Sequence, residues 1–258
     1  VASAVIRIGC SGWVYKHWAA DFYPAGMPAS AWFDHYRATF DTVEINNSFY
    51  RLPEWRTFAA WSKRAQQPDS GAPFLYAVKA SRFLTHMKRL IDPKDPIDRL
   101  LKRARHLGTT LGPILYQLPP RWGPDAARFE AFLAALPRDI ELPRGGGRRP
   151  LQHAVEFRDA RAYEGNLPRL LEDYGVALCL HDMRESAAAR VRVGPFAYVR
   201  FHGTARYGGR YPDEQLAEWA AWMRAENAAG RDVYAYFNND IGGHAPRDAV
   251  RLRAAVTH

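Results

Sequence analysis

Short apolar runs alternate with amphipathic stretches along the whole chain. The runs lie at residues 5–10, 42–46, 74–80, 113–118, 153–157, 177–181, 197–201 and 232–237, and each ends in small, polar or charged residues. Their length and their bounding residues are typical of buried β-strands. Such strands, alternating with helices, predict parallel βαβ units. Eight units of this kind close most simply as a (β/α)₈ barrel of the TIM type.

The stretches between the runs carry helix start signals. Ser30 and Asp125 are placed to cap helices over 31–39 and 126–136, and Pro53-Glu54 opens a helix that ends at Trp61. Further helices are predicted over 169–174, over 214–227 and from Ala245-Pro246 to Val256. The alternative fold is an open doubly wound sheet, which needs a glycine-rich fingerprint after the first strand. Residues 9–13 read Gly-Cys-Ser-Gly-Trp, which is not G-x-G-x-x-G, so the barrel is favoured.

Three segments depart from a regular repeat. Only residues 182–195 connect the sixth and seventh strands, and 184–192 carry little apolar periodicity, so this crossover helix is predicted to be stunted or absent. Residues 82–96 add length after the third strand, at the barrel mouth, where long loops are often functional. Residues 142–151 are rich in glycine and arginine. They are predicted to form a flexible solvated loop at the opposite end, with nucleic-acid contact as the alternative.

The composition limits the class of protein. The chain has 258 residues and is 47% hydrophobic, which suits one barrel domain over 1–258, although two small domains would also fit. Two cysteines, Cys10 and Cys179, are too few for a disulfide framework. No stretch resembles a signal peptide or reaches the roughly 18 apolar residues of a membrane span. A soluble cytoplasmic protein is predicted, and its oligomeric state stays open.

The net charge is strongly positive. A formal charge of +9 and a pI near 9.7, carried mainly by arginine, favour anionic partners such as phosphates, carboxylate substrates or nucleic acid. No run of five or six basic residues occurs, however. The charge is therefore equally explained by a proteome that is rich in arginine, without any anionic partner. Nucleic acid is therefore a partner that the sequence allows and does not favour.

Chemistry in a TIM-type barrel gathers at the carboxyl ends of the strands. In the run at 42–46, Val43 alternates with Glu44, so Glu44 faces the barrel axis if Val43 faces the helices. The same alternation directs Lys79, Glu156, Arg200 and His202 inward. Buried charges must pair with one another or with a bound ion. The pattern therefore predicts a self-satisfied ion-pair network, an acid–base site, or both at once.

Other mouth residues allow more than one interpretation. His202 has small neighbours, Gly203 and Thr204, which suits acid–base work, yet a hydrogen-bonded structural histidine fits equally. Six aromatic residues in the mouth loops could stack on a sugar or base, or cover the core: Trp13, Tyr15, Phe49, Tyr50, Trp122 and Tyr207. Metal-ligand types occur at Glu44, Glu156, His181, Asp182, His202 and Asp240. No H-x-H pair or Glu-x-x-His motif accompanies them, and inward cations would oppose a metal ion, so neither metal nor cofactor is predicted.

Seven motifs in fixed order resemble those of the YecE-like domain-of-unknown-function family. They are IRIGCSGW at 6–13, TVEINNSFY at 42–50, AVKASRFLTH at 77–86, LYQLPP at 115–120, VEFR at 155–158, YVRFHG at 198–203 and YFNND at 236–240. The motif positions that carry over are Gly9, Ser11, Trp13, Glu44, Asn46, Ser48, Phe49, Tyr50, Lys79, Gln117, Glu156, Arg158, Arg200, His202 and Asn238. Membership implies a TIM-type barrel and no established reaction. The chain departs from the family pattern in the short stretch after Asp182.

The first functional hypothesis is a metal-independent enzyme that acts on a small anionic substrate, such as a phosphorylated or carboxylated sugar-like molecule. Glu44 is the leading general base, with His202 or Glu156 as its acid partner. Lys79 and Arg200 bind the anion or stabilise an enolate-like charge, and Lys79 as a Schiff-base nucleophile is a variant. The other residues predicted to contact substrate are Arg82, Arg158, Asn46, Ser11, Trp13, Tyr50, Gln117 and Asn238.

Two alternatives remain from the sequence. One is a divalent-metal-dependent phosphodiesterase or nuclease, in which the basic surface and the mouth aromatics grip nucleic acid. The other is a non-catalytic module that binds nucleic acid or a protein and whose charged centre is structural. Glycosidase chemistry is disfavoured, because Gln117 occupies the fourth strand end and no adjacent pair of catalytic carboxylates is evident.

Overall fold

Strands and helices alternate as the apolar pattern predicts. The structure, a computed structural model, describes residues 4–66, 73–183, 187, 190–205 and 207–257. The strands are β1 Ile6–Cys10, β2 Thr42–Ile45, β3 Leu75–Lys79, β4 Leu111–Gln117, β5 Asp139–Glu141, β6 Arg148–Pro150, β7 His153–Glu156, β8 Ala177–His181, β9 Ala197–Phe201 and β10 Val233–Phe237. The α-helices are α1 Trp32–Thr39, α2 Trp55–Ala65, α3 Lys94–Ala104, α4 Ala126–Ala134, α5 Leu167–Asp173, α6 Asp213–Ala228 and α7 His244–Thr257.

Eight parallel strands form the central sheet, in the order β1-β10-β9-β8-β7-β4-β3-β2. The sheet curves until its two end strands, β1 and β2, lie side by side, and the helices cover its outer face. The chain is therefore an α/β barrel of the TIM type, as predicted. No helix in the part of the chain that the structure describes is both long and apolar enough to cross a membrane.

A tyrosine from α1 seals the barrel between β1 and β2. The Tyr36 hydroxyl accepts a hydrogen bond from the Cys10 backbone N–H (2.8 Å) and donates one to the Thr42 carbonyl (3.0 Å). It therefore replaces a ladder hydrogen bond where the two strands are not directly paired. Glycine is needed at position 9, because a Cβ there would lie 2.2 Å from the Thr42 oxygen and 2.9 Å from the Tyr36 hydroxyl.

Most helix boundaries lie within two residues of the predicted ones, but α2 continues to Ala65, four residues beyond its predicted end at Trp61, and α3 was not predicted. The Asp125 side chain caps α4 by accepting a hydrogen bond from the Arg128 backbone N–H, as predicted. Ser30 does not cap α1. It lies inside a 3₁₀ turn, Ala29–Ala31, which precedes the helix, and Ala31 occupies the cap position without a side-chain hydrogen bond.

The structure of the three irregular segments agrees with the predictions to different degrees. Residues 182–183, 187 and 190–196 contain no helix, and the rest of the predicted stunted crossover lies outside the described residues. The loop over 82–96 contains a short π-helix, Phe83–Met87, at the barrel mouth. The loop over 142–151 is more ordered than predicted. Its end forms β6, which pairs antiparallel with β5, and Arg149 donates from Nε to the Leu111 carbonyl (3.1 Å).

Candidate active site

A layer of ion pairs crosses the barrel interior near the carboxyl ends of the strands. Alternation along β2, β3, β7 and β9 turns Glu44, Lys79, Glu156 and Arg200 inward, and all four are buried. Beneath this layer the interior is filled by small and aromatic side chains: Ala77, Leu115, Ala154, Ala177, Cys179, Tyr198, Tyr234 and Tyr236. The inward charges therefore lie on top of a packed core, on the side where TIM-type barrels carry their sites.

Arg200 is the centre of this layer. Its guanidinium is fully buried and joins both carboxylates, with Nη2 2.8 Å from Glu44 Oε1 and Nη1 2.8 Å from Glu156 Oε2. Its Nε donates a further hydrogen bond to Glu44 Oε2 (3.0 Å). Three of the four inward charges, Glu44, Glu156 and Arg200, thus pair with one another, as in the ion-pair network that the sequence predicts, whereas Lys79 does not.

Glu44 has no oxygen left without a donor. Ser11 Oγ donates to Oε1 and the Tyr198 hydroxyl to Oε2, both at 2.7 Å, in addition to the contacts with Arg200. Burial, the largest single influence, would raise the pKa of Glu44, but the charges of Arg200 and Lys79 and the hydrogen bonds from Arg200 and Ser11 together hold this pKa below its usual value. Glu44 is therefore an ionised carboxylate, enclosed within the layer.

Glu156 is held between two guanidinium groups. Arg158 donates from Nε to Oε1, and Arg200 binds Oε2. Burial would raise the pKa of Glu156, but the charges of Arg158 and Arg200 together hold it well below its usual value. Arg158 continues upward from this pair, so the layer is connected to the space above it.

A cavity of about 880 Å³ opens above the layer. Its wall consists of Phe49, Tyr50, Lys79, Arg82, His86, Met87, Gln117, Pro120, Arg158, Asp182, Met183, His202, Gly203, Thr204, Ala205 and Tyr207. Six of the residues that the sequence nominates are among them: Lys79, His202, Tyr50, Arg82, Arg158 and Gln117. The volume suits a small organic ligand.

The other nominated residues lie outside the cavity wall. Glu44, Glu156, Arg200 and Ser11 belong to the layer below the cavity, and Trp13 packs edge-on against Phe33 and Trp61, within the core. Asn46 and Asn238 follow β2 and β10 without reaching the cavity. Trp122 is also a core residue, beside Phe129. Of the mouth aromatics, Phe49, Tyr50 and Tyr207 line the cavity, whereas Tyr15 packs on Trp18.

Of the four residues in the layer, Lys79 is the one whose side chain lines the cavity. Its Nζ lies 4.2 Å from the centroid of the Phe49 ring, in a cation–π contact. Among the described residues, Nζ has no ion-pair or hydrogen-bond partner. Burial, and secondly the charge of Arg200, lower the pKa of Lys79 to about 7. Close to neutral pH this amine therefore exists in both its charged and its neutral form.

His202 is fixed as a neutral imidazole. Its Nε2 faces Arg158 Nη2 at 2.8 Å and Arg200 Nη1 at 3.4 Å. Guanidinium groups only donate, so Nε2 must be the acceptor and the ring proton is on Nδ1, which faces Asp182 Oδ1 at 3.5 Å. Burial lowers the pKa of His202 to about 4, although Asp182 opposes the shift. His202 is therefore suited to positioning Arg158.

Several wall residues were not nominated from the sequence as site residues. His86 comes from the π-helix and its ring meets Phe49 edge-on, with centroids 4.9 Å apart. Burial, and then the charge of Lys79, lower the pKa of His86 to about 4. Asp182 accepts hydrogen bonds from the His202 backbone N–H (2.8 Å) and from the Tyr211 hydroxyl. The unusual length of the loop over 82–96 was the signal that could have identified His86.

The donor set does not form a metal centre. Among the residues that the structure describes, no three side chains of His, Cys, Asp or Glu are grouped so that they could hold a metal ion. The carboxylates of Glu44 and Glu156 are already bound by arginines, and Lys79 and Arg158 would repel a cation.

Fold and site together define a TIM-type barrel protein with a cationic cavity at the carboxyl ends of its strands. The chain belongs to the family described as "Protein of unknown function DUF72", which matches residues 7–258. This finding confirms the resemblance seen in the sequence motifs. The UPF0759 protein YunF of Bacillus subtilis (strain 168) is 24% identical over 274 residues, which cover 93% of this chain and 91% of YunF.

Solved structures show the same fold. A DUF72 family protein (TM1631) from Thermotoga maritima MSB8 superposes with a TM-score of 0.81 at 24% identity, over 98% of this chain and all of that chain (100%). The 3-keto-L-gulonate-6-phosphate decarboxylase from Vibrio cholerae O1 biovar El Tor str. N16961 superposes with a TM-score of 0.51 at 11% identity, over 98% of both chains. At these identities the likeness concerns the fold alone.

Proposed function

We propose that this protein is an enzyme that acts on a small anionic substrate, phosphorylated or carboxylated and sugar-like, without a metal ion. The observation that carries the proposal is the sign of the charges at the cavity wall. Three cations, Lys79, Arg82 and Arg158, line the cavity, against one carboxylate, Asp182, which accepts hydrogen bonds from the Tyr211 hydroxyl and the His202 backbone N–H. Glu44 and Glu156 lie below the cavity and are bound to arginines. A cavity of this kind concentrates anions and stabilises negative charge that develops during a reaction.

The wall residues divide into three roles in this proposal. Lys79 is the catalytic acid–base group, because a pKa of about 7 matches proton transfer at neutral pH. Arg82 and Arg158 bind the anionic group, and Tyr50 and Tyr207 pack against the body of the substrate.

The layer below the cavity positions these groups. Arg200 lowers the pKa of Lys79 through its charge, and Glu156 orients Arg158. Glu44, nominated from the sequence as the general base, acts here through Arg200, because its oxygens are fully engaged and do not reach the cavity.

Anion binding tests the proposal directly. Thermal unfolding is followed with inorganic phosphate, glycerol 3-phosphate, gluconate and a neutral sugar at low ionic strength. The protein is first freed of metal with EDTA and dialysed into chelator-free buffer, and each ligand is tested with and without added Mg²⁺. We expect the anions to stabilise the protein, by about 2.7 kcal/mol at 100 times Kd. Arg82→Met should remove most of this gain, because Arg82 lines the cavity, and the variant should still fold, because this side chain is exposed.

The control removes an equal charge elsewhere. Lys102 is exposed on α3, away from the cavity, so Lys102→Met should retain the full stabilisation by anions. Equal stabilisation by the neutral sugar, or unchanged anion binding in Arg82→Met, would refute the proposed site. A requirement for a divalent ion would favour the phosphodiesterase alternative.

A further inference from the structure

We propose that Lys79 is a covalent catalyst whose Nζ forms an iminium with the carbonyl carbon of an anionic aldehyde or ketone, a 2-oxo acid or a sugar phosphate. This inference rests on the proposed function and narrows its substrate class. The geometry that points to it is the placement of an amine without a partner in a cationic cavity.

The position of Lys79 differs from that of other lysines in the chain. Lys88 and Lys94 lie near the surface, 3.5 Å from Asp92 and 2.5 Å from Asp98 respectively. Lys79 ends β3, is 6% exposed, and meets the Phe49 ring in place of a carboxylate. Its Nζ is therefore directed to the cavity and is available to an electrophile.

The surroundings also keep part of the amine neutral. Only the free amine attacks a carbonyl, and desolvation beside other cations is the usual way in which proteins obtain it. Burial and Arg200 lower the pKa of Lys79 to about 7, so roughly half of the amine is neutral at pH 7. Lys79 is thus able to react at a pH where an ordinary lysine is almost entirely protonated.

The proposed step balances without an external reagent. The lone pair of Nζ forms a bond to the carbonyl carbon, while the π pair moves to oxygen, which takes up a proton. The nitrogen supplies the proton that the oxygen takes up, which gives a neutral carbinolamine. The hydroxyl group then leaves as water with the proton that the Lys79 ammonium had released on becoming the free amine, and the nitrogen lone pair forms the C=N bond. Overall, an ammonium and a carbonyl give an iminium and one water.

Neighbouring wall residues assist this step. The His86 imidazole, neutral at pH 7, lines the same cavity as Lys79, where it can exchange protons with the bound substrate. Arg82 and Arg158 hold the anionic group. An iminium next to these cations withdraws electrons strongly from the adjacent carbon, which suits cleavage or proton transfer at that carbon.

Reductive trapping tests the inference. The intact protein is incubated at pH 7 with cyanoborohydride and one carbonyl compound per reaction: pyruvate, 2-oxoglutarate, dihydroxyacetone phosphate or ribose 5-phosphate. Its peptides are then analysed by mass spectrometry. We expect a secondary amine at Lys79, at least tenfold more abundant than at any other lysine. The internal controls are Lys16, Lys63, Lys88, Lys94 and Lys102. Lys79→Arg should eliminate the label.

The pH dependence provides a second readout that does not depend on the substrate. Competitive acetylation of all amines, measured from pH 5 to 10, reports the pKa of each lysine. The reactivity of Lys79 should rise as pH rises through about 7 and then level off, whereas that of a free lysine side chain, with a pKa of about 10.4, would still be rising above pH 9.

The outcomes separate this inference from the proposed function. If no carbonyl compound labels Lys79 preferentially, while its reactivity levels off above pH 7 and anions still bind in an Arg82-dependent manner, the iminium is refuted and the proposed function stands. If the reactivity of Lys79 instead keeps rising with pH like that of a free lysine, both the iminium and the acid–base role of Lys79 are refuted, and only anion binding at the cavity stands. If anion binding fails as well, the inference and the proposed function are both refuted.

Discussion

Arg200 determines what the inward carboxylates can do. The Arg200 guanidinium binds Glu44, together with Ser11 and Tyr198, and shares Glu156 with Arg158, so four charges form one buried unit below the cavity. Lys79 lies beside this unit without a carboxylate partner. The same residues are therefore a structural network and the source of the unusual electrostatics of Lys79.

Neutralising Glu44 should be strongly destabilising. Glu44→Gln leaves the buried charge of Arg200 undercompensated, and we expect a loss of about 3–5 kcal/mol in the free energy of unfolding, measured with urea at pH 7. The additional change Arg200→Met should recover part of the loss, because Glu156 retains Arg158. The matched control is Asp98→Asn in an exposed pair with Lys94, which should change the stability little, because solvent screens this pair.

The lowered pKa of Glu44 predicts how the stability of Glu44→Gln depends on pH. The pKa of Glu44 is held below its ordinary value of 4.5, so its stabilising contribution is complete above pH 4.5 and is lost as pH falls below that value. As pH falls below 4.5, the free energy of unfolding should therefore decrease less for Glu44→Gln than for the native protein. If Glu44→Gln is as stable as Asp98→Asn, and its stability falls in acid as steeply as that of the native protein, then Glu44 is not the buried, ionised partner of Arg200.

Among the elements, the turn after β9 sets the shape of one cavity wall. Gly203 has φ of +94°, and its neighbours Ala205 and Gly208 exchange backbone hydrogen bonds of 3.0 and 3.1 Å. A Cβ at position 203 would lie 2.0 Å from the Gly208 carbonyl oxygen. The turn therefore depends on glycine for both its conformation and its close packing.

Gly203→Ala should displace this turn. We expect it to lower the free energy of unfolding by about 2 kcal/mol or more and to weaken anion binding, since Gly203, Thr204 and Tyr207 line the cavity. Gly165→Ala is the control, because Gly165 also has positive φ (+77°) but open space around its Cα, so its cost should stay near 1 kcal/mol. Equal unfolding midpoints and equal anion affinities for the two variants would contradict the close packing.

The strands were predictable to within about two residues, since a buried strand in a barrel repeats a local pattern that the sequence displays directly. The π-helix Phe83–Met87 and the β5–β6 hairpin were not, because packing decides them. The same distinction applies to the candidate site. Alternation placed Glu44, Lys79 and Arg200 inward, but enclosure of Glu44 depends on Ser11 and Tyr198, which approach from other strands.

For the whole molecule, the closing seam of the barrel is held by side chains. Tyr36 joins the backbones of β1 and β2, and the Thr42 hydroxyl meets the Tyr236 hydroxyl at 2.8 Å across the interior. Arg7 adds hydrogen bonds from Nη1 to the side chain of Asp41 and the Pro73 carbonyl, both at 2.9 Å. Since β2 carries Glu44, this seam also fixes one end of the ion-pair layer.

Tyr36→Phe tests whether the seam maintains the barrel. The variant keeps the ring but leaves the Cys10 N–H and the Thr42 carbonyl buried without a partner, at about 1–3 kcal/mol for each group. We expect lower stability in urea and faster amide exchange in β1. Tyr116→Phe is the control, because the buried Tyr116 hydroxyl has only a long contact of 3.3 Å with His153. If both variants lose the same stability and exchange in β1 is unchanged, direct packing of the two strands suffices to close the barrel.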